Sequence, residues 1–261
     1  MVATGYKTIR FEKQDGVTTI TLNRPTSYNA FTETMNHELT HAFKQVSKDS
    51  DTRCVVITGE GKAFCAGEDL QGVTDDTNYA TLLRKRYHPT MEALKQIPQP
   101  VVAAVNGVAA GAGMSLALAC DFRVVHAKSS FVSAFVNIGL IPDFGMMYAL
   151  PRLIGYAKAL EVTILGNPID GEKAMELGLA TELVGKEEWE SGVGAFAQNL
   201  AAMPTTAISL IKRYMMDSMN EPLGDLLEKE AGAQQAAGSS ADHKEGVQAF
   251  IEKRKPLFKG K

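Results

Sequence analysis

Cysteine is scarce here: Cys54, Cys65 and Cys120 form an odd set of three with no metal-ligand spacing. That excludes a disulfide-stapled secreted scaffold and a cysteine-based zinc module, and it reads as reduced thiols in an intracellular protein. An excess of charge is equally absent. A net charge of −3 gives no overall field to hold nucleic acid or an anionic membrane. The opening residues MVATGYKTIRFEKQDG lack the basic-then-apolar order of an export signal, so a cytoplasmic location is expected. The chain has no sequence repeat of fixed period. One uncharged run, residues 101–120, reaches the length of a membrane span. Asn106, Ser115 and three glycines interrupt it, and Pro98 and Pro100 precede it. The expectation is a buried strand, a glycine-rich turn and a buried helix, not a membrane protein.

What is present is a chain of 261 residues, 45% hydrophobic, ample for one large core. TIRFEKQDGVTTITLNRP reads as two strands turning at Asp15-Gly16. From Thr32, Met35, Leu39, Ala42 and Val46 recur at helical spacing. RCVVITGEG is a β-branched strand, a helical stretch covers 78–97, and FRVVHA is a further strand before a segment at 131–142. This rhythm implies an α/β core with functional loops at strand ends. Beyond about residue 185 the strand signals vanish. Helices are expected around Trp189–Leu200, after Pro204, and from Asp242, where Asp242 would cap and Glu245 reach back. The chain therefore divides into a core at 1–190 and a helical region at 191–261.

Several motifs imitate other chemistries. His37-Glu38-Leu39-Thr40-His41 matches the zinc-protease pattern HExxH. Both histidines, however, project opposite the helix's apolar stripe, where a catalytic metal would find no pocket. Gly59-Glu60-Gly61-Lys62 is too short for a phosphate loop. Arg84-Lys85-Arg86 reads as a solvated helix face, and the basic end KRKPLFKGK as a soluble tail. No metal site is expected.

Two loops carry chemistry. Ala63-Phe64-Cys65-Ala66-Gly67-Glu68-Asp69-Leu70 places small residues where a ligand could lie against the backbone. Asn106-Gly107-Val108-Ala109-Ala110-Gly111-Ala112-Gly113 runs directly into a helix, whose start offers unpaired N–H donors. Two such donors converging on one oxygen make an oxyanion hole.

AFCAGEDL followed by AVNGVAAGAGMSLALACD resembles the crotonase superfamily, the enoyl-CoA hydratase/isomerase family. GLIPD at 139–143, LPRLIG at 150–155, LGLATELV at 177–184 and SADHKEGVQAFIEKRKPLF extend the resemblance over nearly the whole chain. It implies an α/β crotonase fold, a spiral of ββα units, with a C-terminal helical trimerisation region giving homotrimers or homohexamers. It also implies an acyl-coenzyme A thioester as substrate, with no separate cofactor, since coenzyme A is part of that substrate. The thioester oxygen would sit between the N–H groups of Ala66 and Ala112. Gly67, Glu68, Asp69 and Leu70 would line the coenzyme A path, with Arg24, Phe258 and Lys261 approaching it.

The departures select the reaction. The family's hydratases use two glutamates at positions where this sequence has Ser115 and Phe135, and neither is a general base at neutral pH. Asp143 matches the base of the family's isomerases and suits a proton shuttle, with burial strengthening it; alone it could equally cap a turn after Pro142. The nearest resemblance is to the 1,2-epoxyphenylacetyl-CoA isomerase and enoyl-CoA delta-isomerase group, which implies phenylacetate catabolism or fatty acid metabolism. After Asp143 that group reads x-Gly-Gly-Thr, whereas here stand Phe144-Gly145-Met146-Met147, and the two methionines are expected to make the acyl pocket bulkier and more apolar. The rivals are a hydratase without the usual glutamates, an aryl-CoA dehalogenase lacking its tryptophan, and a non-catalytic CoA- or RNA-binding homologue.

Overall fold

The protein is described by a computed structural model covering residues 5–72, 74 and 76–261. β1 (Ile9–Gln14) and β2 (Val17–Leu22) pair antiparallel across Asp15 and Gly16, both at positive φ. Helix α1 (Glu33–Ser47) begins at Thr32, whose hydroxyl accepts the Met35 N–H at 3.2 Å. Its stripe of Met35, Leu39, Ala42 and Val46 is fully buried, while His37 and His41 are exposed. The HExxH residues have a different use. Glu38 accepts the backbone N–H groups of Lys7 and Thr8 at 2.7 and 2.8 Å, and His41 bonds the Tyr6 hydroxyl at 2.7 Å. They tie Tyr6, Lys7 and Thr8 to α1. Among the described residues no cluster of His, Cys, Asp or Glu could hold a metal ion.

The chain then winds between two sheets. Three successive pairs each lay one strand in each sheet: β3 (Cys54–Gly59) with β4 (Ala63–Cys65), β5 (Val101–Val105) with β6 (Val108–Ala110), and β7 (Phe122–His126) with β8 (Ser130–Val132). Helices follow each pair. After the first come α2 (Tyr79–Leu82), a π-helical turn (Leu83–Tyr87) and α3 (His88–Lys95). After the second comes α4 (Ala112–Ala119), and after the third α5 (Met146–Ile154) and α6 (Tyr156–Leu165). β9 (Ile169–Asp170), α7 (Gly171–Glu176) and β10 (Glu182–Val184) complete the winding. The larger sheet runs β1-β2-β3-β5-β7-β10 and the smaller β4-β6-β8-β9. Among the described residues only β1/β2 and β8/β9 pair antiparallel. This is the expected spiral of ββα units.

Residues 101–120 divide as β5, β6 and α4, and all eight residues of α4 are buried. Burial on every side explains why the run carries no charge. Among the described residues no helix is long and apolar enough to cross a membrane. Both faces of the larger sheet are covered. Ile57, Ala103 and Val105 face the main core, while Val56, Val102 and Val124 meet Ala197, Leu200 and Ala201 of α8 (Trp189–Ala201). The expected boundary after residue 190 thus falls inside a helix that packs on the sheet.

Beyond it lie α9 (Thr205–Asp217), α10 (Leu223–Gly238) and α11 (Ala241–Glu252). α9 and α10 contain no buried residue. Lys212 secures α9, its ammonium donating to the Ile97 and Gln99 carbonyls at 3.0 and 2.6 Å and pairing with Asp121 at 2.5 Å. The expected cap of α11 is corrected: Ser240 caps it, accepting the His243 N–H at 3.0 Å. Asp242 lies one residue inside and is buried, and Glu245 pairs with Arg254.

Candidate active site

The site begins with a backbone contact. A Cβ added to Gly107 would lie 2.1 Å from the Lys62 carbonyl oxygen, and one on Gly113 would lie 2.1 Å from that of Cys65. Only glycine permits these approaches. They lock β4 against the loop that starts α4, so the two loops singled out above meet.

Three donors of these loops are engaged by other parts of the fold. The Ala66 N–H donates to the Tyr28 carbonyl at 3.0 Å, that of Asp69 to Phe31 at 2.9 Å, and that of Gly111 to Val132 at 2.9 Å. The expectation for Ala66 is corrected on this ground: its N–H is spent holding the loop to residue 28. Among the described residues the N–H groups of Glu68 and Ala112 have no hydrogen-bond partner. Ala112 opens α4, where a free N–H is a property of the helix start.

Both residues line a cavity of about 160 Å³, with Ala66, Gly67 and Leu70 beside Glu68, and Gly111 beside Ala112. Tyr79, Leu82, Tyr87, Phe135, Ile138 and Leu140 make its largely apolar wall, and Asp143 completes it. The Asp143 Oδ1 atom is buried without a hydrogen-bond partner among the described residues. Burial first, then the nearby Glu68 carboxylate, pushes its pKa up to about 6. Ser115, at a position where hydratases are expected to carry glutamate, donates its hydroxyl to the Asp143 carbonyl at 3.0 Å. It fixes the backbone of Asp143 and leaves the carboxylate alone.

Phe144 follows with φ +47°, a conformation that a bulky side chain rarely adopts. Its ring packs edge-on against Tyr87 at 4.9 Å and Phe31 at 5.7 Å. The expectation that the methionines shape the acyl pocket is corrected. Met146 is fully buried in the core and Met147 is 60% exposed, because α5 starts at that point and turns one inward and the other outward. Neither lines the cavity.

Glu68, expected on the coenzyme A path, has its carboxylate held by the Tyr87 hydroxyl and by Arg86 at 3.5 Å. Burial raises its pKa, opposed by the Tyr87 hydrogen bond and by Arg86. Arg86 also pairs with Glu33 at 3.1 Å, so the basic triplet is solvated only at Arg84 and Lys85. Arg24 and Asp69 pair with each other at 2.8 Å, which holds the Asp69 carboxyl below its usual range. They stand beside the cavity without lining it.

Phe258 and Lys261 are not brought to the cavity within one chain. The buried Asp242 accepts the Lys259 and Gly260 N–H groups at 2.6 and 2.7 Å and donates its own N–H to the Lys261 carbonyl at 3.0 Å. The tail is thereby folded onto α11 and Arg53, which donates to the Phe258 carbonyl at 3.4 Å. The cysteines are inert, since burial pushes each thiol up to about 12. Tyr87 escaped the sequence reading, Arg86 was expected on a solvated helix face, and Phe144 was noted only as a departure from the family pattern. The first two sit in a π-helical turn, which leaves no periodic signature.

Fold and cavity together define an α/β enzyme that sets a carboxylate in a small apolar chamber. Residues 12–261 match the enoyl-CoA hydratase/isomerase family, and the chain belongs to it, within the crotonase superfamily. It is 42% identical to a probable enoyl-CoA hydratase of Rhodobacter capsulatus over 98% of this chain and 99% of that one. It is 40% identical to the 1,2-epoxyphenylacetyl-CoA isomerase of Escherichia coli over 95% and 97%. The crystal structure of an enoyl-CoA hydratase/isomerase from Mycobacterium abscessus superposes with a TM-score of 0.92 at 39% identity, covering 97% of this chain and all of that one. The protein is therefore an enzyme of the acyl-CoA hydratase/isomerase type.

Proposed function

We propose that this enzyme is an acyl-CoA isomerase with Asp143 as its single acid–base group. The substrate's thioester oxygen accepts the Glu68 and Ala112 N–H groups, each such donor contributing about 3 kcal/mol once the oxygen becomes anionic. Asp143 removes a proton from C2 of a 3-enoyl thioester, the charge spreads through the dienolate, and the same carboxyl returns the proton at C4. Nothing is gained or lost overall, so no cofactor beyond the coenzyme A of the substrate is required. The pantetheine arm leaves along Gly67 to Leu70, past the Arg24–Asp69 pair.

The observation that carries this reading is that Asp143 lines an apolar chamber while its buried Oδ1 has no hydrogen-bond partner among the described residues. A base must be uncommitted to accept a carbon-bound proton, and a pKa near the working pH makes it effective. Hydration would need a second base to activate water. Ser115 is bound to backbone carbonyls and Phe135 is buried, so the hydratase reading lacks that group at the expected positions. The chamber's size supports a small acyl group. A cavity of about 150 Å³ takes benzene, so a single ring or a short enoyl chain matches the 160 Å³ found here. The 1,2-epoxyphenylacetyl thioester and short 3-enoyl thioesters are the two substrate classes to compare.

The helices after residue 201 are proposed as the contact between copies in a homotrimer or homohexamer, since α9 and α10 bury nothing of their own.

The test is double-bond migration on a short 3-enoyl-CoA in deuterated water, wild type against Asp143→Asn. Wild type should migrate the bond and exchange the C2 proton, with a fall of about 10²- to 10⁴-fold in the variant. Equal rates would remove Asp143 from the mechanism. No migration by wild type, with turnover of the ring-epoxide thioester, would assign the aromatic substrate.

A further inference from the structure

The cavity holds a second carboxylate that the reaction above does not use. Glu68 comes from the loop after β4 and Asp143 from the loop before α5, and both residues line the same 160 Å³ chamber. Glu68 is not free to turn away. The Tyr87 hydroxyl and Arg86 hold its two oxygens, and Tyr87 is 1% exposed. The ring of Tyr87 also packs on Phe144, the residue next to Asp143. One buried side chain thus sets the positions of both acidic residues.

We propose that Glu68 is a positioning residue whose carboxylate, clamped by Tyr87 and Arg86, fixes the electrostatic setting in which Asp143 gains and loses its proton. The proposal rests on Asp143 as the base. The neighbours of Asp143 leave few alternatives. Glu68, from the β4 loop, and Tyr87, from the π-helical turn, line the same chamber as Asp143. Ser115 of α4 touches only its carbonyl. Arg86 and Glu33 lie beyond Glu68, and Arg24 and Asp69 neutralise each other. Glu68 is the carboxylate that acts on Asp143, and its charge opposes ionisation. The clamp has a second consequence. A carboxylate on the residue that offers its N–H to a developing oxyanion would repel that charge, and Tyr87 with Arg86 provide the compensating donor and cation.

The sign of the effect follows. With Glu68 anionic, Asp143 holds its proton to higher pH; with that charge removed, Asp143 ionises at lower pH. The experiment compares wild type with Glu68→Gln and with Glu68→Ser, which removes the same charge with a different shape. Two readouts are taken: the midpoint of the acidic limb of the kcat/KM profile for enoyl-CoA migration, and direct titration of Asp143 by NMR of protein labelled with ¹³Cγ-aspartate. Asp143→Asn identifies the resonance. Both variants should move both midpoints down by at least about half a pH unit. An unmoved Asp143 resonance in either folded variant would overturn the proposal. If the resonance moves but Asp143→Asn still migrates the double bond, Glu68 acts on Asp143 as proposed and it is the assignment of the base that fails.

Discussion

Asp143 lines the chamber with a carboxyl whose Oδ1 atom is buried without a hydrogen-bond partner among the described residues, and the enzyme bears the cost in stability. Its folded pKa, about 6, lies above the ordinary 3.8. Below about pH 3.8 the group is neutral in both states and costs nothing. Between the two values the unfolded chain releases a proton that the folded chain retains, and above about 6 the penalty is complete, with an upper value of about 3 kcal/mol. Asp143→Asn should therefore raise the melting temperature at pH 8, and the gain should vanish near pH 4. An equal melting temperature at pH 8 would show that the carboxylate finds compensation in the folded state. Asp143, which lines the chamber, drew notice in the sequence because a lone carboxylate in GLIPD resembles the base of the family's isomerases. The Tyr87–Glu68 clamp was not legible there, since it joins residues 19 apart across a loop and a π-helical turn. Ala66 was misjudged for a related reason. Sequence shows where a small residue lies, but not that the Tyr28 carbonyl already occupies its N–H.

At the scale of elements, α4 and β4 behave as one part. The Gly113–Cys65 contact leaves no room for a methyl group, and the opposing atom is a backbone carbonyl that cannot rotate away. Gly113→Ala should cost at least about 1–3 kcal/mol, seen as a fall of roughly 2–10 °C in a thermal melt. It should also lower kcat, because α4 carries the Ala112 N–H. An unchanged melting temperature would mean that the helix can shift without loss. Long β-branched strands and the stripe of α1 were readable from periodicity alone. β6 was hidden as three residues in a run of glycine and alanine. α10 was hidden because LGDLLEKEAGAQQAAG buries no residue and so shows no core-facing stripe. The cap of α11 was misplaced because Asp242 is committed to the tail, an interaction that spans 17 and 18 residues.

For the whole molecule, the imbalance lies at the C-terminal end. Met215 is 68% exposed, Leu223 70% and Phe250 86%, a density of large apolar side chains that usually marks an interface. Sedimentation should return a multiple of the 28.2 kDa chain mass, and Phe250→Asp should shift the population toward smaller species. A wild-type monomer at micromolar concentration would refute the proposed contact. The spiral architecture followed from the sequence because the family resemblance spans the chain. The destination of Phe258 and Lys261 did not, because the buried Asp242 directs the tail.

The glycine frame around β4 also bears on how such an enzyme changes over time. Positions 107 and 113 admit no other residue without moving the two loops apart, whereas Leu82, Phe135 and Ile138 belong to the chamber wall and not to that glycine frame. Mutational tolerance is therefore separated in space. A library that randomises the chamber wall explores new acyl groups on an intact scaffold, and selection for any of them leaves both glycines in place. The architecture thus lets substrate choice drift while the machinery for holding the thioester is inherited unchanged.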